Sequence, residues 1–158
     1  MNPSRRTVVL APGLSSSAEH PDQEGARRMR KVVHFEIPAE DLSRAKSFYG
    51  GIFGWELHSM PIGDGEYTLV TTTPVDETTM APTEAGAING GMMERSPEIS
   101  GPVITIDVES IDDVLARIEA AGGSTVTPKM PIPGMGAVAY FKDSEGNVMG
   151  LWETAPEG

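Results

Sequence analysis

Side chains that could do chemistry recur at alternate positions of three segments that read as β-strands. His34 and Glu36 alternate with apolar residues in the first segment, and Thr105 and Asp107 do so in a later one. Because successive residues of a strand point to opposite faces, each pair shares one face. Trp152 lies on the last predicted strand, where alternation allows it to face the same side as these residues. We therefore expect these five side chains to face one cavity and bind a ligand there.

Three uses of these groups stay open at the level of sequence. A glutamate close to a histidine can act as a general base, so His34 and Glu36 are candidate catalytic residues. The same groups could contact a bound polar ligand. They could also satisfy one another in a hydrogen-bonded network, because burying them without partners would be costly.

The elements that must position these residues come from an internal repeat. Residues 37–54 match residues 106–123 at a constant offset, and the pattern Met-Pro-Ile followed by glycine recurs near positions 60 and 130. Each copy reads as a strand, a helix and three further strands. The repeat predicts one α+β domain of two βαβββ modules, at about 30–95 and 101–154.

Two amphipathic helices are predicted, one in each module, near 41–53 and 111–122. The second begins with a capping pattern in which Ser110 is followed by Asp113. The expected apolar stripe of the first helix comprises Leu42, Ala45, Phe48, Tyr49, Ile52 and Phe53. We expect both helices to pack on the apolar face of the first strand of each module, formed by Val33, Phe35, Ile37, Ile104, Ile106 and Val108.

Bulk composition excludes several classes of function. The chain has 158 residues and a formal net charge of −11, with 23 acidic and 12 basic residues. This balance argues against binding to nucleic acid or to an anionic membrane surface, and would suit a basic ligand. The absence of cysteine excludes disulfides and thiolate chemistry. No apolar run is long enough to span a membrane, and we expect a cytoplasmic protein.

The first 28 residues differ in character from the rest. They are rich in serine, glycine, proline and charge, and they have no sustained apolar period. We therefore expect residues 1–28 to be a disordered extension and residues 29–158 to form a single domain.

Three segments resemble the vicinal-oxygen-chelate superfamily, the group of glyoxalase I, bleomycin-resistance proteins and extradiol dioxygenases. They are residues 33–37, residues 41–55 with the Phe-Tyr and Phe-Gly-Trp pattern, and residues 141–153 with the Asp-x-x-Gly-Asn turn. The resemblance covers about residues 30–154. It implies paired βαβββ modules whose curved sheets form a cup around a small-molecule site, and it implies a homodimer.

The glyoxalase-type metal site that the resemblance implies is incomplete in this chain. Its four ligands come from the first and last strands of the two modules, and His34 matches the first of them. The other positions fall on Val103, on Gly150 and within residues 89–91, none of which supplies a histidine or an acid. A divalent metal would need Glu153 beside His34, although strand alternation points Glu153 away from the face of Trp152.

We therefore expect a small-molecule-binding protein of this superfamily with a degenerate metal site and no cofactor. The alternative is a divergent enzyme, a lyase, isomerase or dioxygenase that uses His34 with Glu36 or Glu153. A third hypothesis is an interaction module whose cup is vestigial.

Overall fold

The computed structural model describes residues 29–156 as two successive βαβββ modules. The expected tail, residues 1–28, lies outside the described residues. No helix within residues 29–156 combines the length and the apolar character needed to cross a bilayer. The elements are β1 (Val32–Ala39), α1 (Leu42–Phe53), β2 (Glu56–Ile62), β3 (Gly65–Thr71), β4 (Gly90–Glu94), β5 (Val103–Asp107), α2 (Ile111–Ala120), β6 (Ser124–Ile132), β7 (Gly136–Lys142) and β8 (Val148–Thr154).

All eight strands join one sheet that curls into a half-barrel, in the order β2-β3-β4-β1-β5-β8-β7-β6. The central strands β1 and β5 are antiparallel, while β4 is parallel to β1 and β8 is parallel to β5. Phe35 pairs directly with Ile104, its counterpart in the sequence repeat. A local twofold axis therefore passes between β1 and β5. The predicted α+β class and the curved-sheet cup are confirmed, and the cup forms within one chain.

Both helices begin where the sequence offers a cap. The Asp41 side chain accepts a hydrogen bond from Arg44 N at 2.9 Å, and the Ser110 side chain accepts one from Asp113 N at 3.2 Å. Such caps satisfy backbone donors that the first turn leaves free. The first helix ends at Gly54, whose positive φ of 70° suits a residue without a β-carbon.

The helix α2 covers the main hydrophobic core. Ile111 and Leu115 are buried on the helix, and Leu151 is buried on β8 beneath them. The remaining buried members of this core are Val108, Ala137, Ala139 and Phe141. Most of the core of the second module therefore lies on β7 and β8, with Ile106 of β5 partly buried at its margin.

The helix α1 packs less closely than its sequence predicts. It contacts β2 and β4 rather than the centre of the sheet, and no residue of α1 is buried. Phe48, Ile52 and Phe53 are 57%, 64% and 56% exposed. The expected buried stripe is therefore wrong for these three residues. An aromatic contact anchors the helix instead, because the ring of Tyr49 stacks on that of Trp55 at 5.3 Å.

The space between the two helices leaves part of the central sheet uncovered. Ile104 on β5, which was expected to lie beneath a helix, is 46% exposed, and Val32 on β1 is 47% exposed. The helices cover the two ends of the sheet, so this part of the helix-side face remains in contact with solvent.

Candidate functional site

A buried glutamate lies at the centre of the cup. Glu36 is 4% exposed, and each of its carboxylate oxygens accepts one tyrosine hydroxyl. Tyr67 Oη donates to Oε1 at 3.0 Å, and Tyr140 Oη donates to Oε2 at 2.8 Å. The two tyrosines come from β3 and β7, on opposite sides of β1. The contact therefore combines three strands, β1 and β3 of the first module and β7 of the second.

A histidine extends the same network. His34 Nε2 lies 2.8 Å from Tyr67 Oη, so Tyr67 stands between His34 and Glu36. His34 is half-buried. The groups expected to cooperate, His34 and Glu36, are thus joined through a third side chain rather than directly. We refer to His34, Tyr67, Glu36 and Tyr140 as the Glu36 network.

Burial sets the protonation of this network. It raises the pKa of Glu36 above its ordinary value, while hydrogen bonds from Tyr140 and Tyr67 act in the opposite direction. Burial, followed by the nearby Glu36 carboxylate, raises the pKa of Tyr67 and of Tyr140, so both keep their protons. Burial also lowers the pKa of His34, which favours the neutral imidazole.

Two glycines stand at equivalent positions beside the network. Gly91 on β4 pairs with Glu36, and Gly150 on β8 pairs with Thr105, the counterpart of Glu36 in the repeat. A β-carbon at Gly91 would collide with the hydroxyl and ring of Tyr67. The absence of a side chain at Gly91 therefore lets Tyr67 reach across β4 to Glu36.

Thr105 lies on the strand next to His34, but its hydroxyl makes no recorded contact with the network. The residue is 2% exposed, and its Oγ1 has no hydrogen-bond partner within the described part of the chain. A β-carbon at Gly150 would lie 2.5 Å from this oxygen. Thr105 therefore closes the floor of the cup against β8.

Asp107 and Trp152 lie farther along the same face of the sheet. They pair with each other across β5 and β8. Trp152 Nε1 donates to Thr154 Oγ1 at 3.2 Å, and Asp107 lines an open groove beside residues 29–31. By register all five sequence-predicted residues share the cup face. The recorded hydrogen bonds link only His34 and Glu36 among them.

Glu153 lies on the opposite face of β8. Its Oε2 accepts a hydrogen bond from Ile111 N at 2.8 Å, at the start of α2, and its Oε1 contacts Lys129 Nζ at 2.7 Å. These bonds lower the pKa of Glu153. The alternative that pairs His34 with Glu153 is therefore wrong in geometry, because strand alternation separates the two side chains.

Apolar side chains surround the network on the cup face. Val103 and Tyr140 pack with Ile99 in a second buried cluster at one end. Toward the outer strands, Leu69 and Met60 are 39% and 41% exposed. Met130 stands at the other edge, paired with Val138, and is 43% exposed. The cup thus has a polar floor and an apolar, solvent-accessible rim.

The residues of the cup do not fit a divalent metal. No group of three or more histidine, aspartate or glutamate side chains is placed to hold an ion within residues 29–156. Val103 cannot coordinate, and Thr105 occupies the space that an acid at Gly150 would need. Nε2 of His34 is already hydrogen-bonded to the Tyr67 hydroxyl.

Tyr67 and Tyr140 are the site residues that the sequence interpretation missed. Alternation places Tyr67 on the cup face, two residues before Leu69, so a signal was present in β3. Tyr140 contacts Glu36 across 104 residues of sequence. Only the order of strands brings β7 close enough, and a single strand pattern does not contain that order.

A family model described as "Bleomycin resistance protein-like N-terminal" matches residues 31–73. The chain is 29% identical over 120 residues to a protein of Mycobacterium tuberculosis named as a glyoxylase, CFP32, covering 75% of this chain and 43% of that protein. It is 28% identical over 130 residues to the anthracycline biosynthesis protein DnrV of Streptomyces peucetius, covering 75% and 45%. The chain thus spans less than half the length of these relatives.

Solved structures share the fold. Methylmalonyl-CoA epimerase of Streptomyces coelicolor superposes with a TM-score of 0.58 at 17% identity, covering 82% of this chain and all of that one. The epimerase of Mycobacterium tuberculosis superposes with a TM-score of 0.54 at 22% identity, covering 79% and 88%.

Proposed function

We propose that this chain, which belongs to the vicinal-oxygen-chelate superfamily, binds a small organic molecule in its cup without a metal ion. The observation that carries the proposal is the Glu36 network. Hydroxyl groups of two tyrosines satisfy the buried carboxylate. The partners of this carboxylate are thus hydrogen-bond donors of the protein rather than a cation.

The surroundings of the network support an apolar ligand with a polar group. Methionines on both outer strands, Met60 and Met130, are flexible and polarizable, and such side chains adapt to ligands of varied shape. Trp152 offers an aromatic surface on the same face. A few polar groups at the base of an apolar cup are typical of small-molecule sites.

The names of one relative and of the matching family model suggest a probe. The relative is named an anthracycline biosynthesis protein, and the family model is named after bleomycin resistance. An anthracycline is planar and largely apolar, carries hydroxyl groups and fluoresces. We therefore expect an anthracycline to bind in the cup.

Fluorescence titration with an anthracycline tests this proposal. We expect saturable binding in the micromolar range that persists in the presence of a chelator, and a loss of at least tenfold in affinity in His34→Ala. Arg117→Ala, on α2 and remote from the cup, is the matched control and should bind like the unchanged chain. Absence of saturable binding, or binding that requires added zinc or nickel, would contradict the proposal.

A metal-free enzyme is the second candidate, and the raised pKa of Glu36 favours it. A buried carboxylate linked through Tyr67 to His34 could store a proton taken from a substrate. Turnover of the methylglyoxal–glutathione adduct in the presence of chelator, lost in Glu36→Gln, would support an enzyme of the glyoxalase type. Under the binding-protein proposal we expect no turnover.

We also propose that the chain forms a homodimer. Phe48, Ile52 and Phe53 present an apolar surface on α1 that no described element covers. Ile104 is exposed on the same side of the sheet. Contiguous exposed apolar residues of this size usually mark an interaction surface.

A further inference from the structure

The direction of the hydrogen bonds in the Glu36 network is determined by its members. An ionised carboxylate can only accept, so both tyrosine hydroxyls donate to Glu36. Each hydroxyl has a single proton. The proton of Tyr67 is therefore committed to Glu36, and its oxygen can only accept from any other neighbour.

That neighbour is His34. Since Tyr67 Oη accepts at 2.8 Å, the donor must be the Nε2–H group of His34. A neutral imidazole that carries its proton on Nε2 has a lone pair on Nδ1. Burial lowers the pKa of His34, and the structure records no acidic side chain in contact with it among residues 29–156, so the neutral form is favoured.

The remaining ring nitrogen of His34, Nδ1, has no hydrogen-bond partner in the described part of the chain. His34 shares the cup face with Glu36, and it is only half-buried. We infer that a ligand in the cup meets this nitrogen as a neutral hydrogen-bond acceptor.

We propose that the Glu36 network holds His34 in its Nε2–H tautomer and thereby makes Nδ1 an acceptor that selects ligands carrying a hydroxyl group. This inference rests on the proposed binding function and names the ligand class more narrowly, as a planar apolar molecule with a phenolic hydroxyl. A methoxy or carbonyl group at the same point offers no proton to Nδ1. Tyr67 acts as a positioning residue because it sets the tautomer without touching the ligand.

The tautomer can be measured without any ligand. The chain has three histidines, so selective ¹⁵N labelling of histidine gives few signals, and His34→Asn assigns those of His34. Near pH 7 we expect Nδ1 of His34 to resonate as a lone-pair nitrogen and Nε2 as a protonated one. In Tyr67→Phe the two forms should mix, because the acceptor for Nε2–H is lost.

A matched variant separates this effect from general disturbance of the cup. Tyr140→Phe removes the other donor to Glu36 but leaves Tyr67 in place, so the tautomer of His34 should persist. A protonated Nδ1 in the unchanged chain, or an unchanged His34 spectrum in a folded Tyr67→Phe, would overturn the inference.

Ligand selection is measured with 1-naphthol and 1-methoxynaphthalene, which share one ring system and differ in whether the oxygen carries a proton or a methyl group. We expect 1-naphthol to bind at least tenfold more tightly, and the difference to vanish in His34→Phe. Equal binding of the two probes would refute the inference and leave the proposed function standing. If neither these probes nor an anthracycline binds, the proposed function fails, and with it the ligand class, while the ¹⁵N spectra still decide the tautomer.

Discussion

Among residues 29–156, Glu36 is the only acidic or basic residue that is buried. Its carboxylate is almost fully buried, and its partners are neutral hydroxyls rather than a cation. Two hydrogen bonds to a charged acceptor offset part of the desolvation cost, but the raised pKa indicates that the cost is not fully offset. The residue therefore reduces stability when it is ionised. Such a cost at a single buried position is common where binding or catalysis occurs.

The pH dependence of stability should report this cost. Because the pKa of Glu36 is raised above 4.5, its stabilising contribution is fully present below that value and is lost as the pH rises through the folded-state pKa. Glu36→Gln keeps the shape and cannot ionise. We expect the free energy of unfolding of Glu36→Gln, relative to that of the unchanged chain, to increase from about pH 4 to about pH 7.

Urea unfolding at both pH values measures this difference. His34, whose lowered pKa acts with the opposite sign, is present in both proteins and cancels to a first approximation. A difference between the two proteins that does not change with pH would contradict the interpretation of Glu36.

Metal content provides a second test at the scale of residues. After equilibration with zinc or nickel and desalting, we expect much less than one metal ion per chain, because the cup offers no complete set of ligands. Glu153→Gln should leave this value unchanged, since Glu153 bonds to the start of α2. If each chain held one ion tightly and His34→Ala lost it, the cup would contain a metal site, contrary to the proposed function.

At the scale of elements, the sequence predicted what is local. The predicted capping pattern at Ser110 marks the start of α2, and alternation assigned His34, Glu36 and Glu153 to their faces. The exposure of α1 was not predictable in the same way. Amphipathic spacing identifies an apolar stripe, but it does not say whether that stripe meets the sheet or another surface. Likewise, the pairing of Tyr140 with Glu36 depends on the position of β7 in the sheet.

A substitution on β4 tests how strands shape the site. In Gly91→Ala the new methyl group would occupy the space of the Tyr67 ring, and the hydroxyl would leave Glu36 and His34. We expect a loss of about 1–3 kcal/mol in the free energy of unfolding. The ¹⁵N spectrum of His34 should change as it does in Tyr67→Phe.

Gly101→Ala is the matched control for this substitution. A β-carbon at Gly101 would meet no atom within 4 Å, and the residue is exposed. We expect little change in stability there. If Gly91→Ala proved as stable as Gly101→Ala, the close approach of Tyr67 to β4 would be refuted.

At the scale of the whole molecule, we expect the proposed homodimer to form through the uncovered side of the sheet. The three exposed residues of α1 and Ile104 lie on the helix side, opposite the cup. Pairing through this side would leave both cups open to ligand. Sedimentation at micromolar concentrations should detect a dimer.

Ile52→Glu should shift that dimer toward monomer, because it places a charge in the apolar contact. Lys142→Glu, an exposed substitution at the far end of β7, is the control and should not alter the sedimentation coefficient. A monomeric unchanged chain at high micromolar concentration would rule out the proposed homodimer.

The local twofold axis between β1 and β5 has a consequence for the history of the protein. In the repeat, His34 corresponds to Val103 and Glu36 corresponds to Thr105. An ancestor assembled from two identical half-chains would have carried each of these side chains twice, in symmetric pairs around the axis. The Glu36 network takes His34, Glu36 and Tyr67 from the first module and Tyr140 from the second, so the two halves contribute different side chains to one site.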